Sequence, residues 1–124
     1  MIRDVVTVKN LTRDSCVGEQ IRLAESSRDR MVGLLGQRSL AHGTGLYIVP
    51  CQAIHTIGMS FPIDVIFVDK KYNVVGMREA VRPFRCTRVF WRALGVLELP
   101  VGTIRESGTK VGDQLKLARA ATTQ

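Results

Sequence analysis

Apolar and polar positions alternate early in this chain. In "DVVTVKN", Val6 and Val8 flank Thr7, which is the period of a half-buried strand. A polar turn, "LTRDS", follows, and "CVGEQIRLA" resumes with Val17, Ile21 and Leu23 as an antiparallel partner. The period then changes. In "ESSRDRMVGLLGQRSL", Met31, Leu34 and Leu35 form a one-sided stripe. Ser26 or Ser27 can cap the first free N–H groups, and Gly36 sits where a helix ends. This predicts one short helix closing a side of the core.

From Gly45 onward the pattern is that of β structure. "GLYIVP" is a short strand stopped by Pro50, and "AIHTIG" reads as another because it is rich in β-branched residues. "PIDVIFVD" is a continuous apolar run, the strongest strand signal in the chain. The turn "DKKYN" leads into "VVGMREAV", so the two runs predict a hairpin. "ALGVLELP" reads as a buried strand. "VGTIRESGTKVGDQLKLA" is rich in turns and ends in a strand that alternates through Leu115 and Leu117. About seven or eight short strands with one helix predict a mainly β fold, a small closed or half-closed β-barrel, because closure removes exposed sheet edges. The expectation is one domain over residues 1–124, with a frayed tail at 118–124.

Composition narrows the picture. The 124 residues suffice for one ordinary domain, and 45% apolar residues suit a folded core. "MIRDVVTVKN" has Asp4, Lys9 and Asn10 breaking any signal-peptide core, and no stretch approaches the roughly 20 apolar residues of a membrane span. The expected location is the cytoplasm. Cys16, Cys51 and Cys86 are an odd set with unrelated contexts and no C-x-x-C pair, which predicts reduced, mostly buried thiols. A net charge of +7 favours anionic partners.

Two stretches, "FPIDVIFVD" at 61–69 and "VLELPVGT…VGDQL" at 96–115, follow "RDRMVGLLGQRSL" in fixed order. Together they resemble the bacterial and archaeal family known as domain of unknown function 192. The resemblance implies a small, mainly β domain with a helix and implies no reaction. Asp64 falls on that family's Pro-x-Asp and Glu98 on its Leu-Glu-Leu-Pro. His55 falls where many relatives carry the tryptophan of a "W-M-K-N-T" stretch. The ending "GTKVGDQLKL" is similar to the Gly–Asp turn of cradle-loop barrels, where Asp113 would accept N–H bonds inside its own turn.

Four groups of residues could carry chemistry. Cys51, His55 and Met59 are soft ligands spaced by four. On a helix the outer two stand about 12 Å apart, and on a strand about 27 Å, so one ion cannot reach all three. We therefore expect no metal site: Cys51 and Met59 pack in the core and His55 bonds a neighbour. Cys51 with His42 or His55, oriented by Asp64, would make a nucleophile, but the strand reading separates Cys51 from His55, and no nucleophile elbow is present. Asp64 and Glu98 interrupt apolar runs and need partners if buried. They either tie strands together or share a cleft as an acid–base or binding pair. The last group is "MREAVRPFRCTRVFWR", with Arg78, Arg82, Arg85, Arg88 and Arg92 interleaved with Phe84, Phe90 and Trp91. Guanidinium forks grip phosphates and carboxylates, and rings between them anchor or stack.

The sequence thus predicts a non-catalytic β-barrel that binds an anionic small molecule or an acidic protein surface. The binding residues would be Arg82, Arg85, Arg88 and Trp91, beside Asp64 and Glu98. One alternative is a small hydrolase or lyase using Asp64 and Glu98. Another is a structural interaction module, marked by an exposed apolar patch. No cofactor is expected, and no recognised motif supports nucleic acid.

Overall fold

A computed structural model describes residues 5–24, 40–57 and 59–119. The predicted helix at 26–36 lies outside the described residues. Among the described residues, seven strands form one sheet: β1 (Val5–Asn10), β2 (Ser15–Ala24), β3 (Thr44–Ile48), β4 (Ile63–Val68), β5 (Val74–Val81), β6 (Gly95–Leu99) and β7 (Leu115–Arg119). A single short helix, α1 (Thr103–Ser107), is described. The order across the sheet is β5-β4-β6-β3-β2-β1-β7. Every pair is antiparallel except β2 with β3, which run parallel from Gln20↔Thr44 to Ala24↔Ile48.

The sheet curls into a half-barrel as its outer strands approach at one end. Val74 N–H donates to Asp113 O at 2.8 Å, and Gly112 N–H donates to Val74 O at 2.8 Å. Leu115 N–H donates to Tyr72 O at 2.9 Å, and Asn73 bridges Gln114. These bonds cover part of both sheet edges, the physical reason small β folds curl. Asp113 sits at this junction. It accepts the Lys110 N–H within its own turn at 2.9 Å, as its Gly–Asp setting predicts.

Alternation along the strands separates two apolar clusters. Val8, Ile21, Tyr47, Ile66, Val74, Leu97 and Leu115, one from each strand, meet inside the curl with Ile104 of α1. Leu46, Ile48, Ile63, Val65, Phe67 and Val96 face the other way. That outer face is covered by loop residues Ile54, Met59, Phe61, Phe90 and Ala93. β4 and β6 are buried on both faces, so their sequences read as unbroken apolar runs.

Two expectations need correction. "AIHTIG" is not a strand: only His55 makes a β-bridge, to Cys86. Its β-branched residues serve a loop that lies across the outer cluster. The thiols are not mostly buried either, because Cys16 and Cys86 are exposed and Cys51 is half-buried. Cys16 lies on the solvent side of β2 and Cys86 on the surface loop.

Candidate functional site

Residues 82–94 form an irregular loop after β5, and residues 51–57 lie against it in the opposite direction. Backbone bonds clasp the two: Phe90 N–H to Gln52 O at 2.8 Å, Thr87 N–H to Ile54 O at 2.9 Å, and Thr56 N–H to Arg85 O at 2.8 Å. Thr56 is fully buried at the centre. Its hydroxyl donates to Arg82 O at 2.6 Å and accepts from Arg85 N–H at 2.9 Å. A threonine in an apolar stretch gives no sequence signal for this role.

Phe90 pins the other end of the loop. Its ring stacks on Phe67 with centroids 4.3 Å apart. It also lies over Gly76, where a Cβ would collide with it. The Arg88 guanidinium covers the ring at 4.0 Å from the centroid, and that of Arg78 stands 5.3 Å away. Such cation–π contacts fix long side chains over a fixed ring.

What the loop shows to solvent is cationic and aromatic. Arg82, Arg85, Arg88 and Arg92 are all exposed. Trp91 is 78% exposed and Phe84 70%. Val89 and Leu94 of the same loop and Ile57 of the opposed segment are also exposed. Arg92 and Leu94 also line a shallow cleft of about 610 Å³ with Asp69, Lys70, Lys71 and Asn73. Burial works to raise the Asp69 pKa, but N–H and side-chain bonds from Asn73, the Lys71 N–H and nearby Arg92 hold it below the ordinary value.

Asp64 and Glu98 do not join this surface, nor each other. Both are fully buried. In the β4–β6 register Asp64 faces Leu99, whereas Glu98 faces Val65, so their side chains point to opposite faces of the sheet. Asp64 accepts three backbone N–H bonds: Ala80 at 2.8 Å, Ile104 at 3.0 Å and Gly102 at 3.2 Å. It thereby caps α1 from a strand and holds a bulge of β5 in which Ala80 has φ 50°. Glu98 lies between Leu46 and Val65 on the outer face. A shared carboxylate cleft does not form.

The soft-ligand triplet is likewise dispersed in role. Met59 is buried in the outer cluster and Cys51 packs against it, its thiol donating to Ala53 O at 3.0 Å. His55 is exposed. His42 pairs with Glu106 at 3.0 Å on another part of the surface. Among the described residues no group of three or more His, Cys, Asp or Glu could hold a metal ion. No described helix is long and apolar enough to cross a membrane.

Comparison with known proteins supports the fold. The model of the family described as DUF192, uncharacterized ACR, matches residues 8–117. A UPF0127 protein of Thermococcus sibiricus is 28% identical over 111 residues, covering 86% of this chain and 71% of that protein. Two crystal structures share the architecture. One, from Sinorhizobium meliloti 1021 and provisionally described as a transcription regulator, superposes with TM-score 0.75 at 20% identity over 94% of both chains. The other, a protein of unknown function from Novosphingobium aromaticivorans, gives TM-score 0.74 at 23% identity over 90% of this chain and 83% of that one. At these identities the likeness is one of fold alone.

Proposed function

Because the chain belongs to the DUF192 family of uncharacterised proteins, whose name carries no reaction, we propose a function from its surface: a non-catalytic module that binds an acidic protein surface through the loop at 82–94. One observation carries the reading. Trp91 and Phe84 are 78% and 70% exposed on a loop that also exposes Arg82, Arg85, Arg88 and Arg92. Large exposed rings among arginines are the residue types that dominate protein interfaces. The loop is held in place by Thr56 and Phe90, so little ordering remains for binding to supply. The basic side chains and the exposed rings occupy one segment, the surface for which the sequence suggests arginine contacts with an aromatic anchor. The guanidiniums of Arg85 and Arg88 each spend one N–H on a neighbouring carbonyl, at 3.5 and 3.3 Å, leaving donors for carboxylates.

Trp91 is the sole tryptophan, so its fluorescence reports on the surface directly. The test is titration with an acidic peptide of glutamate and leucine, with a single-stranded oligonucleotide and citrate as comparators. The expected result is a saturable blue shift with the peptide that weakens steeply with salt and is lost in Arg85→Ala/Arg88→Ala. A shift with the oligonucleotide or citrate and none with the peptide overturns the reading.

A further inference from the structure

His55 and Cys86 stand directly opposite one another where the two loops meet. The bonds Thr56 N–H to Arg85 O, 2.8 Å, and Thr87 N–H to Ile54 O, 2.9 Å, flank the pair on either side. That pattern defines a non-hydrogen-bonded antiparallel pair, the kind in which opposed Cα atoms approach to about 4.5 Å and side chains share one face. Both residues are exposed. The imidazole and the thiol therefore leave the same face of this short pair, with the exposed Arg85 and Arg88 one and two residues along the chain from Cys86.

From this juxtaposition we propose that Cys86 is a reactive thiol that forms a mixed disulfide with a small carboxylate-bearing disulfide, His55 serving as its base. The imidazole takes the thiol proton as the sulfur attacks one sulfur of the reagent. The reagent's S–S bond breaks, the Cys86–S–S–R bond forms, and R–S⁻ leaves to be protonated. The disulfide is the oxidant: Cys86 is oxidised and the departing half is reduced. The arginines draw the carboxylate to the site. Exposed thiols in electropositive surroundings are the ones that react.

The other two cysteines lack this setting and act as internal controls. Cys16 lies across from Lys9, with its thiol 3.8 Å from Val8 O. Cys51 is half-buried and bonded to Ala53 O.

The experiment treats the reduced full-length chain with dithiobis(nitrobenzoate), an anionic disulfide, and with neutral dithiodipyridine. Quenched samples are peptide-mapped to give a rate for each cysteine. Cys86 is expected to react with the anionic reagent about a hundredfold faster than Cys16, the lower end of what a positioned base contributes. His55→Ala should remove that advantage, and free imidazole should restore part of it, which a merely structural role for His55 would not allow. Arg85→Ala/Arg88→Ala and added salt should slow the anionic reagent alone. Equal rates at Cys86 and Cys16, or an unchanged rate in His55→Ala, overturn the proposal.

Discussion

Asp64 and Glu98 occupy neighbouring strands, are both fully buried, and point to opposite faces of the sheet. The carboxyl group of Asp64 is a structural keystone: three N–H groups from β5 and from the start of α1 converge on it. Asp64→Ala leaves them without an acceptor in an apolar surrounding. The expected loss is about 3 kcal/mol, with Asp64→Asn costing roughly half because one oxygen survives. Urea unfolding of the two variants beside the parent chain checks both values. An unchanged midpoint in Asp64→Ala would show that the three bonds carry no stability.

Gly76 exists for Phe90. Opposite Phe67 in the β4–β5 ladder, it leaves room for a ring already packed between Phe67 and the Arg88 guanidinium. A methyl group at position 76 must displace that ring, and overpacking of this kind costs about 2 kcal/mol. Gly76→Ala should therefore destabilise the chain, and Phe90→Leu should lessen the effect of Gly76→Ala when the two are combined. Equal costs in the presence and absence of the Phe90 ring, measured as a double-mutant cycle, would contradict this account.

The features legible in the sequence are those with local causes. β4 and β6 show as apolar runs because both their faces are buried. The β4–β5 hairpin shows because Asp69 and Asn73 have turn chemistry, and Asp69 does accept the N–H groups of Lys71 and Asn73. The features that were not legible have distant causes. α1 is only five residues long and owes its start to Asp64, almost forty residues earlier. The opposite facing of Asp64 and Glu98 is a matter of register between strands, which neither sequence segment contains. His55 attracts notice with Cys51 because the two are close in sequence, whereas its structural neighbour is Cys86. Residues 53–57 resemble a strand, but Thr56 turns inward to hold the arginine loop and only one bridge forms.

Asp113 gives the fold an acid-sensitive joint. The Arg13 guanidinium bonds it at 3.0 and 3.1 Å, and Asn10 Nδ2 at 3.0 Å. Arg13 first, against the opposing effect of burial, and then Asn10, Lys110 N–H and the Arg13 charge hold its pKa down to about 2 from an ordinary 3.8. A pKa lower in the folded chain than in the unfolded one contributes stability that is complete above the unfolded value. That stability is lost as pH falls through the folded value. Thermal stability should therefore drop between about pH 4 and pH 2 by an amount on the order of 1 kcal/mol, after allowance for solvent screening. Arg13→Met should flatten this part of the profile; a profile that keeps its slope would assign the acid sensitivity elsewhere.

Thr56 couples the buried core to the exposed arginine surface. Its hydroxyl makes a donor bond to Arg82 O and an acceptor bond from Arg85 N–H, while its own N–H and carbonyl bond Arg85 O and Phe84 N–H. Valine has the same shape without the hydroxyl, so Thr56→Val preserves the packing and removes only the first two bonds. Thr56 is fully buried and both lost bonds are part-buried, which predicts a cost of about 1–2 kcal/mol. The backbone clasp through residue 56 survives, so the loss should appear locally before it appears globally. Amide hydrogen exchange at Arg85 should quicken in Thr56→Val, while that of Ile66, in the doubly buried β4, quickens no more than the global loss of stability allows. If the loop is the binding surface, acidic-peptide affinity should fall in the same variant, although every arginine and aromatic side chain is intact. Unchanged exchange at Arg85 would show that the hydroxyl does not hold the loop, leaving the Phe90 stack, the Gln52 amide on Trp91 O and the Thr87 hydroxyl on Ile54 N–H to anchor it.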